Sequence, residues 1–542
     1  MERVILPSTL GTLTVGLLLP IVVLCTFTYL TTLLRYHLAV RNASNGKGNS
    51  KNPPLLPYFI PVLGSTIAFS NQTVGTFWTW LRTQAERYHQ DAFSIVLAGK
   101  RTHFIFSEDG ISSLFKSRQL SRAGLDRQLG VNVLGMSKED SFKAFPDRAD
   151  EKTSTERLHS EYLLSSTGVH ALTEKFIETL LAQLGSDEGL ASGVEGNLYE
   201  WLWQRVFRAS TTALAGSKLL EMYPDFDVDY RVWEDNMLDM LFGTPRLFAR
   251  QAYRARDACV EKLERWLETG YQHTEEEEGE DPDWTPSFGA RVMRKRHDLY
   301  KQRDLSIHGQ AGWDLIFLAG ILSNATPATG WLLLHILSPT SASDFRPRIM
   351  QELQSCKRTD GSIDIPALTR LPLVNSAFHE VLRLYVDLLL VRRVESSGAI
   401  GPHYVRQSEQ VMAPTWMTHR NPAFFDRPDI FDPERFLTSD PETGKLRYRA
   451  TGLGSKYFPF GGGHYMCPGR MFAKQEVLGT IAVLLLNFDI TFAGFVKRTK
   501  TGWESVGTED FPTIKNGFAG NQVVGIEGDM RVHIKRRPPR SL

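Results

Sequence analysis

One cysteine closes a glycine-rich turn in the stretch Phe458-Pro459-Phe460-Gly461-Gly462-Gly463-His464-Tyr465-Met466-Cys467-Pro468-Gly469-Arg470, just ahead of a helix predicted from Met471. Because the glycines carry no Cβ atom, the backbone can lie flat against a planar ligand, with the ring of Phe460 beside it. The start of a helix offers unpaired N–H donors and a partial positive charge, and both stabilise a thiolate. A broad aromatic macrocycle bound at Cys467 fits this pattern.

Two other interpretations of the cysteine are open at this point. A free cysteine in a glycine-rich hairpin is often a buried structural residue. A zinc site built from Cys467 and His464 would need at least two further ligands at metal spacing. The remaining cysteines are Cys25, Cys259 and Cys356. They stand far apart in the chain and form no Cys-x-x-Cys pair, so they do not supply the further zinc ligands.

The spacing of Phe460, Gly463, Cys467 and Gly469 resembles the heme-binding loop of the cytochrome P450 family. The resemblance implies heme b as the cofactor, with Cys467 as the axial iron ligand. It also implies a mainly α-helical fold with a smaller β region, the triangular helical prism of that family. We expect this heme-thiolate catalytic domain to span residues 65–542.

Overall composition excludes several classes of protein. The chain has 542 residues and a net charge of +1, with no clustered excess of Lys and Arg, so nucleic acid is not an expected partner. Its 4 cysteines are irregularly spaced, which is unlike a disulfide scaffold and favours a reducing, cytosol-facing compartment.

The N-terminal segment 8–34 is long and apolar enough for a transmembrane helix, since no charged residue lies between Arg3 and Arg35. It lacks a small-residue cleavage site, so we interpret it as a retained signal-anchor rather than a signal peptide or a buried soluble helix. The cations that follow it favour a cytoplasmic main body. Residues 35–64 are predicted to be a linker and proline-rich hinge that resembles the hinge of membrane-bound family members.

Short β-like runs and long helical patterns fill much of the remaining chain. Phe93–Leu97 and Thr102–Phe106 predict a β-hairpin, and the chain from about Leu172 to Leu267 is mostly helical in its periodicity. The tail contains strand-like pieces such as Met530–Lys535, which we expect to close the β region.

Trp313–Leu337 is a second long apolar segment. Polar residues such as Asp314 and Asn324 fit poorly in lipid, so a buried central helix is the better interpretation. Pro327 has no N–H, and the carbonyl of Ser323 therefore loses its usual helical partner. We expect the helix to bend or widen at this point, over the cofactor.

In the cytochrome P450 family this helix usually carries an acid followed by a threonine, which relay protons to bound oxygen. Here Leu322 or Ser323 stands at the position of the acid, and Ser323 or Asn324 at that of the threonine. The Asn-x-x-Pro-Ala pattern, together with His464, resembles the branch that contains cholesterol 7α-hydroxylase and prostacyclin synthase. The resemblance implies proton delivery by Asn324, Ser323 or ordered water.

Glu380 and Arg383 lie three residues apart on one face of a helix predicted within Leu371–Leu384. Alone, such a pair is usually a surface salt bridge. The segment Phe431–Phe436 resembles the family's segment whose arginine completes a buried Glu-Arg-Arg network beneath the heme. The resemblance therefore implies a structural and heme-retaining role for Glu380, Arg383 and Arg435.

A heme also needs basic partners for its propionates, and the resemblance implies Arg393 at this position, with Arg392 as the rival. The loop carries Tyr465 where many relatives have a propionate-binding arginine. The resemblance implies two substitutes for that propionate-binding arginine, His159 or Arg157. Both lie in a helical stretch where the family has another basic residue.

Taken together, the motifs imply a membrane-bound monooxygenase that uses O2 and electrons from NADPH-cytochrome P450 reductase, with cytochrome b5 as an additional donor. Lys456, Arg470 and Lys474 are candidate docking charges on the cysteine side. The anchor implies a single-pass protein of the endoplasmic reticulum membrane, with the catalytic domain in the cytoplasm.

The expected substrate is a lipophilic small molecule. The amino-acid sequence of the cysteine loop resembles that of fungal biosynthetic family members, which act on terpenoid, polyketide or steroid-like intermediates of secondary metabolism. Two alternatives remain open. A heme-thiolate isomerase or dehydratase would turn over without NADPH, and a non-enzymatic heme sensor would show no substrate-dependent oxygen consumption.

Overall fold

The computed structural model describes residues 9–44, 52–70, 74–88, 91–147, 154–241, 243–274, 281–450, 452–515 and 520–538. Within these ranges the helices are α1 (Thr9–Ser44), α2 (Thr66–Ser70), α3 (Val74–Tyr88), α4 (Glu108–Lys116), α5 (Ala123–Asn132), α6 (Lys138–Ala144), α7 (Thr155–Leu163), α8 (Ser166–Ser186), α9 (Gly189–Ser192), α10 (Leu198–Ala215), α11 (Lys218–Met222), α12 (Phe226–Leu241), α13 (Arg250–Thr274), α14 (Arg291–Gln302), α15 (Ile307–Leu337), α16 (Phe345–Ser355), α17 (Ile365–Leu368), α18 (Pro372–Tyr385), α19 (Thr415–His419) and α20 (Arg470–Asn487).

The strands in the same ranges are β1 (Ala92–Leu97), β2 (Lys100–Ile105), β3 (Leu120–Ser121), β4 (Val194–Asn197), β5 (Trp284–Thr285), β6 (Gly289–Ala290), β7 (Val386–Val394), β8 (Gly398–Ile400), β9 (His403–Val405), β10 (Gln410–Pro414), β11 (Leu437–Ser439), β12 (Leu446–Tyr448), β13 (Phe488–Thr499), β14 (Gly502–Val506), β15 (Thr513–Ile514), β16 (Asn521–Val523), β17 (Ile526–Glu527) and β18 (Asp529–Arg536). The chain divides into two compact units. The first contains Met1–Arg122 and Leu389–Thr418, and the second contains Ala123–Leu388 and His419–Leu542.

The first unit is built on a small sheet. The predicted hairpin is confirmed: β1 and β2 pair antiparallel around the turn Ala98-Gly99, where both residues have positive φ (45° and 78°). A two-residue turn of this kind matches the right-handed twist of the strands. Strand β10 then pairs parallel to β2 and antiparallel to the Leu389–Arg393 part of β7.

A buried polar chain ties the proline-rich arm to this sheet. The Ser94 hydroxyl donates to the carbonyl of Pro53 at 2.8 Å and lies 2.8 Å from Nδ1 of His103. Nε2 of His103 lies 2.8 Å from the carboxylate of Glu409. Ser94 and His103 are both fully buried, so this series of hydrogen bonds is closed to a substrate. It instead fixes the arm in place.

Helix α1 is the predicted membrane anchor, and the segment Leu18–Arg41 has the length and composition of a membrane span, with a mean hydropathy of 1.7. The helix continues to Ser44, beyond the predicted anchor boundary at residue 34, because no Gly or Pro interrupts residues 35–44. At 1.5 Å per residue it is about 54 Å long, well over the ~30 Å of a bilayer core. The helix is therefore longer than one crossing of such a core requires.

The second unit packs around α15, which is apolar on all sides and buried along nearly its whole length. A helix of this pattern belongs in a core, and this confirms the sequence interpretation of Trp313–Leu337. Helices α10, α13, α18 and α20 pack against it. Its second sheet has the strand order β14-β13-β18-β4, and β18 confirms the strand predicted at Met530–Lys535.

Candidate functional site

The cysteine loop is a tight turn held by its own backbone. The Cys467 N–H donates to the carbonyl of Phe460 at 2.9 Å, and the Gly461 N–H donates to the carbonyl of Phe458 at 2.9 Å. Gly461 and Gly463 have φ values of 73° and 64°, a conformation that favours glycine. The chain then enters α20 at Arg470, one residue before the predicted start at Met471, so that the sulfur sits at the start of that helix.

The surroundings of the Cys467 sulfur suit an iron-bound thiolate. Burial raises the pKa of the Cys467 thiol, whereas backbone N–H groups of Gly469 and Arg470 and the charge of Arg470 oppose that rise. The Arg470 guanidinium also donates to the Cys467 carbonyl at 2.9 Å. A Cβ atom on Gly469 would lie 3.8 Å from the sulfur, so glycine leaves this side of the sulfur open to the helix terminus.

The other cysteines of the second unit differ in this respect. The Cys356 thiol donates to the carbonyl of Leu353 at 3.0 Å, and burial raises its pKa to about 11. Cys259 is fully buried, and burial raises its pKa too. Among the described residues, no three His, Cys, Asp or Glu side chains converge to hold a metal ion. Cys467 is therefore suited to be a single axial ligand, and the residues present fit a heme.

The structure brings Glu380, Arg383 and Arg435 together. The Glu380 carboxylate accepts hydrogen bonds from Arg383 at 2.7 and 2.8 Å, and from Arg435 Nε at 3.0 Å to each oxygen. The Asp432 N–H adds a further bond at 3.0 Å. The side chains of Glu380 and Arg383 are 0% exposed and that of Arg435 is 10% exposed. Strong bidentate contacts in a buried setting match the predicted network.

His419 links this network to the cysteine loop, and sequence reasoning missed it. Its carbonyl accepts from Arg383 at 2.8 Å, and its Nε2 accepts from the Phe458 N–H at 3.0 Å. Burial lowers the pKa of His419 to about 3, and the charges of Arg383 and Arg420 lower it further, so the ring is neutral. Nε2 of the ring can therefore accept the hydrogen bond from the Phe458 N–H at physiological pH.

Tyr457 makes a second link between α18 and the loop. Its hydroxyl lies 2.9 Å from Nδ1 of His379 and 2.9 Å from the carbonyl of the same residue. Phe436 packs against the Tyr457 ring at a centroid distance of 5.0 Å. No motif marks these residues in the sequence. An aromatic directly before the Phe458-Pro459-Phe460 run was the one signal that could have drawn attention to them.

One face of α15 is open while the rest of the helix is buried. Ile316 and Asn324 are partly exposed, Gly320 is exposed, and no atom lies within 4 Å of a Cβ built on Gly320. These residues follow each other at four-residue spacing, so they share one face. This open face gives α15 room for a ligand.

Asn324 and Ser323, the predicted proton carriers, point in different directions. The Asn324 amide donates to the Gly320 carbonyl at 3.1 Å and accepts from the Val523 N–H at 3.1 Å. Ser323 is buried, and its hydroxyl lies 2.8 Å from the hydroxyl of Tyr230 on α12. Asn324 therefore belongs to the open face of α15, whereas Ser323 belongs to the α12 side.

The predicted basic residues are distributed between the two units. Arg393 and Arg392 lie on β7 in the first unit, where Arg393 is exposed and Arg392 is buried. In the second unit, Arg157 is exposed on α7, and His159 lies 3.0 Å from the guanidinium of Arg296. Burial lowers the pKa of His159 to about 3, and Arg296 lowers it further. Their contact with propionates stays a prediction.

The candidate docking charges all have contacts within the protein. Lys474 donates to the Thr369 carbonyl at 3.1 Å, and burial lowers its pKa to about 8. The Lys456 ammonium lies 5.3 Å from the centre of the Phe424 ring. Arg470 is engaged with the Cys467 carbonyl. Docking of a partner at these residues stays a prediction.

Comparisons with known proteins agree with this site. The family model described as Cytochrome P450 matches residues 53–509. Cytochrome P450 monooxygenase fsoE of Humicola fuscoatra is 27% identical, over 82% of this chain and 83% of that protein. Cytochrome P450 monooxygenase efuG of Hormonema carpetanum is also 27% identical, over 83% of this chain and 86% of that protein.

Two more distant comparisons extend the picture. Cytochrome P450 7A1 of Oryctolagus cuniculus is 23% identical, over 81% of this chain and 87% of that protein. The solved structure of retinoic acid bound cyanobacterial CYP120A1 shares the fold with a TM-score of 0.63 at 19% identity, over 90% of this chain and 100% of that one. The chain therefore belongs to the cytochrome P450 family, and it is a monooxygenase of that family.

Proposed function

We propose that this protein is a membrane-anchored monooxygenase that oxidises a lipophilic terpenoid, polyketide or steroid-like intermediate of fungal secondary metabolism. The observation that carries the proposal is the Cys467 sulfur, which sits at the start of α20 with backbone donors aimed at it. Heme b held by Cys467 would supply oxygen activation, since a thiolate ligand pushes electron density toward O–O cleavage.

The remaining residues of the site have supporting roles in this proposal. The Glu380, Arg383 and Arg435 network would hold the backbone before the cysteine loop in the position that heme binding needs. Phe460 would lie against the macrocycle. Arg393 or its buried neighbour Arg392 would hold a propionate, because a guanidinium matches the geometry of a carboxylate. The open face of α15 would receive the substrate and exclude bulk water.

The relatives support the substrate class. The fungal sequences that match this chain over more than four fifths of its length are named as monooxygenases, and cytochrome P450 7A1 and a cholesterol 7-alpha-monooxygenase match it as well. Large apolar side chains near the anchor, such as Phe59 and Val62, are exposed at 57% and 75%. A lipid surface would cover them, and a substrate that partitions into lipid would be concentrated at the protein.

Electrons would come from NADPH through a cytochrome P450 reductase, with cytochrome b5 as an additional donor. Family members of eukaryotes use such a redox partner, and the exposed Met466 and Met471 flank the cysteine. We place the protein in the endoplasmic reticulum membrane, single-pass, with the catalytic domain in the cytoplasm. The cations that follow the anchor support this orientation.

The proposal is tested with the full chain expressed alongside a reductase. The reduced, CO-treated wild type should show the red-shifted Soret band of thiolate ligation, and Cys467→Ser should lose it. Cys356→Ser is the matched control, because that thiol is engaged with the Leu353 carbonyl, and it should keep the band. Retention of the band in Cys467→Ser would overturn the site assignment.

Product analysis then separates the reaction classes. Incubation with candidate terpenoid, polyketide and steroid scaffolds should give products with one added oxygen from O2, and only when NADPH and reductase are present. The family branch that the Asn-x-x-Pro-Ala pattern resembles also includes an isomerase. The same incubations should therefore be analysed without NADPH as well. NADPH-independent rearrangement of a peroxide substrate would replace the monooxygenase proposal with that alternative.

A further inference from the structure

Two helices of the second unit contribute a stacked pair of easily oxidised side chains, and a histidine contacts one of them. Trp331 and His335 lie four residues apart on α15 and therefore share one face of that helix. The Tyr385 ring, at the end of α18, stacks on the Trp331 ring at a centroid distance of 3.9 Å and an interplanar angle of 4°. The Tyr385 hydroxyl lies 2.8 Å from Nε2 of His335. We call these three side chains the aromatic stack.

The aromatic stack is tied to the open face of α15. Trp331 follows Asn324 by two helical turns, so the two residues share a face and lie about 10 Å apart along the helix axis. The Asn324 amide accepts from the Val523 N–H at 3.1 Å, and the carbonyl of the next residue, Val524, accepts from the Trp331 indole N–H at 2.9 Å. The Val524 N–H donates to the Tyr385 carbonyl at 2.8 Å. One short segment therefore holds both rings close to the place where α15 has room for a ligand.

The other end of the aromatic stack approaches the surface of the second unit. The His335 ring lies parallel to the Phe431 ring, at a centroid distance of 3.8 Å and an interplanar angle of 5°. Phe431 is partly exposed, and its neighbour Ile430 is 55% exposed. The rings thus lead from the ligand side of α15 to a position that small molecules in the surrounding water can reach.

The hydrogen bond to His335 gives Tyr385 a proton acceptor. Burial raises the pKa of the Tyr385 phenol, so the group keeps its proton at neutral pH. A phenol that loses one electron becomes a strong acid, and its oxidation is easiest when a base takes the proton at once. Burial lowers the pKa of His335 to about 3, so the ring is neutral and Nε2 can accept. An oxidised phenol is a much stronger acid than this imidazolium, so the proton transfer is downhill.

We propose that the aromatic stack is a redox-active site that supplies electrons to the heme when hydrogen peroxide, rather than a substrate, has oxidised it. In one step Tyr385 loses an electron, Trp331 passes that electron toward the heme, and the phenolic proton moves to Nε2 of His335. Two such steps, with two protons from water, convert one molecule of hydrogen peroxide into two molecules of water as its O–O bond breaks. After each step a water-soluble one-electron reductant of the ascorbate class returns the electron to Tyr385, and His335 returns the proton.

Packing alone would also account for buried aromatic rings in contact. Two observations together favour a redox role: tryptophan and tyrosine, the side chains that most readily give up one electron, lie parallel, and the tyrosine hydroxyl meets a ring nitrogen that can take its proton. Tyr271 of the same unit differs in the second respect. Its hydroxyl donates to the amide oxygen of Gln310 at 2.7 Å, and an amide is too weak a base to hold the phenolic proton. Tyr271 therefore provides the matched control.

This inference rests on the proposed heme at Cys467, and the test separates the two. The full-length wild type and the variants Tyr385→Phe, His335→Phe and Tyr271→Phe are mixed with hydrogen peroxide in the absence of substrate, frozen, and compared by electron paramagnetic resonance. Phenylalanine keeps an aromatic ring at each position and removes only the hydroxyl or the ring nitrogens. The CO spectrum of every protein is recorded first to show that fold and thiolate ligation are intact.

We expect the wild type to give a tyrosyl radical signal, whose hyperfine splitting collapses when the protein contains ring-deuterated tyrosine. Tyr385→Phe should lose the signal, His335→Phe should give a lower yield of it, and Tyr271→Phe should keep it. Retention of the signal in Tyr385→Phe would overturn the inference, as would a wild type that has the CO band but forms no tyrosyl radical. Absence of the CO band from the wild type would overturn the heme assignment instead.

A second readout follows oxidative damage. Excess peroxide bleaches the heme and oxidises a cysteine thiolate such as Cys467 when no other group supplies electrons. With ascorbate present, the wild type should keep its Soret absorbance longer than Tyr385→Phe and Trp331→Phe, and Tyr271→Phe should match the wild type. Equal bleaching rates in the wild type and Tyr385→Phe would overturn the inference.

Discussion

Replacing Glu380 by Gln should destabilise the protein strongly, because this one carboxylate neutralises two buried guanidinium groups. It accepts two hydrogen bonds from Arg383 at 2.7 and 2.8 Å, and Arg435 Nε donates to both oxygens at 3.0 Å. The Gln side chain has the same shape, but it is neutral and turns an N–H donor toward other N–H donors. Both arginines would then carry uncompensated charge in the core.

The size of the effect follows from burial. The side chains of Glu380 and Arg383 are 0% exposed, so solvent cannot screen the stranded charges. Removing one partner of a buried ion pair costs about 3–5 kcal/mol. The fallback partners of Arg383, the carbonyls of His419 and Pro428, are already in use at 2.8 and 2.6 Å. We therefore expect a loss of about 4 kcal/mol, which lowers the ratio of folded to unfolded protein about a thousandfold.

Loss of the CO-bound Soret band in a urea titration of the detergent-solubilised full chain measures this effect. Glu434→Gln is the matched control, since Glu434 pairs with Arg348 two positions from Asp432 and the two side chains are 49% and 35% exposed. An exposed pair is worth less than about 1 kcal/mol. Equal midpoints for Glu380→Gln and Glu434→Gln would refute the buried-charge explanation of the network.

Three further substitutions, one of them a control, test the second unit. Glu476 is fully buried beside Ser210, and burial raises its pKa from 4.5 to about 8. The folded state therefore holds a proton that the unfolded state releases. The free energy of unfolding should fall by up to about 1.4 kcal/mol per pH unit between pH 4.5 and 8. Glu476→Gln should remove this slope in urea titrations at several pH values, and an unchanged slope would exclude Glu476 as its source. Gly330→Ala should cost about 1–3 kcal/mol, because its methyl group would lie 2.5 Å from the Tyr199 ring. Gly185→Ala, at an exposed position of α8 where no atom lies within 4 Å, should be neutral or stabilising in the same titration, and a similar loss in both variants would contradict the packing explanation.

The parts of the site that sequence reasoning predicted are those in which chemistry fixes a residue type at a spacing. A thiolate at a helix start needs its glycines nearby, and this requirement marked the Cys467 loop. Glu380 and Arg383 alone would suit a surface salt bridge, and it was the resemblance of Phe431–Phe436 to a family segment that marked these two residues together with Arg435. In both cases the interaction is local in sequence or repeats a family motif, so the pattern survives without a structure.

The parts that sequence reasoning missed depend on contacts between distant segments. His419 contacts Phe458 through a neutral ring, and Tyr230 contacts Ser323 from another helix at 2.8 Å; neither contact leaves a periodic pattern. For Arg392 and Arg393 a signal did exist. Alternation along β7 buries residues 390, 392 and 394 and exposes residue 393, as the period of two in a strand requires. Applying that alternation would have separated the two arginines.

The C-terminal half of α1 contacts both the arm that follows it and the end of α3. The Tyr36 hydroxyl donates to the Tyr88 carbonyl at 3.1 Å, and the rings of Tyr29 and Phe59 stack at a centroid distance of 4.2 Å. The C-terminal half of α1 is therefore held against the rest of the first unit. A version that starts after Ser44 would lose these contacts and expose more of Phe59, whereas one that starts at Tyr29 would keep both contacts together with the exposed Leu30, Leu34 and Leu38.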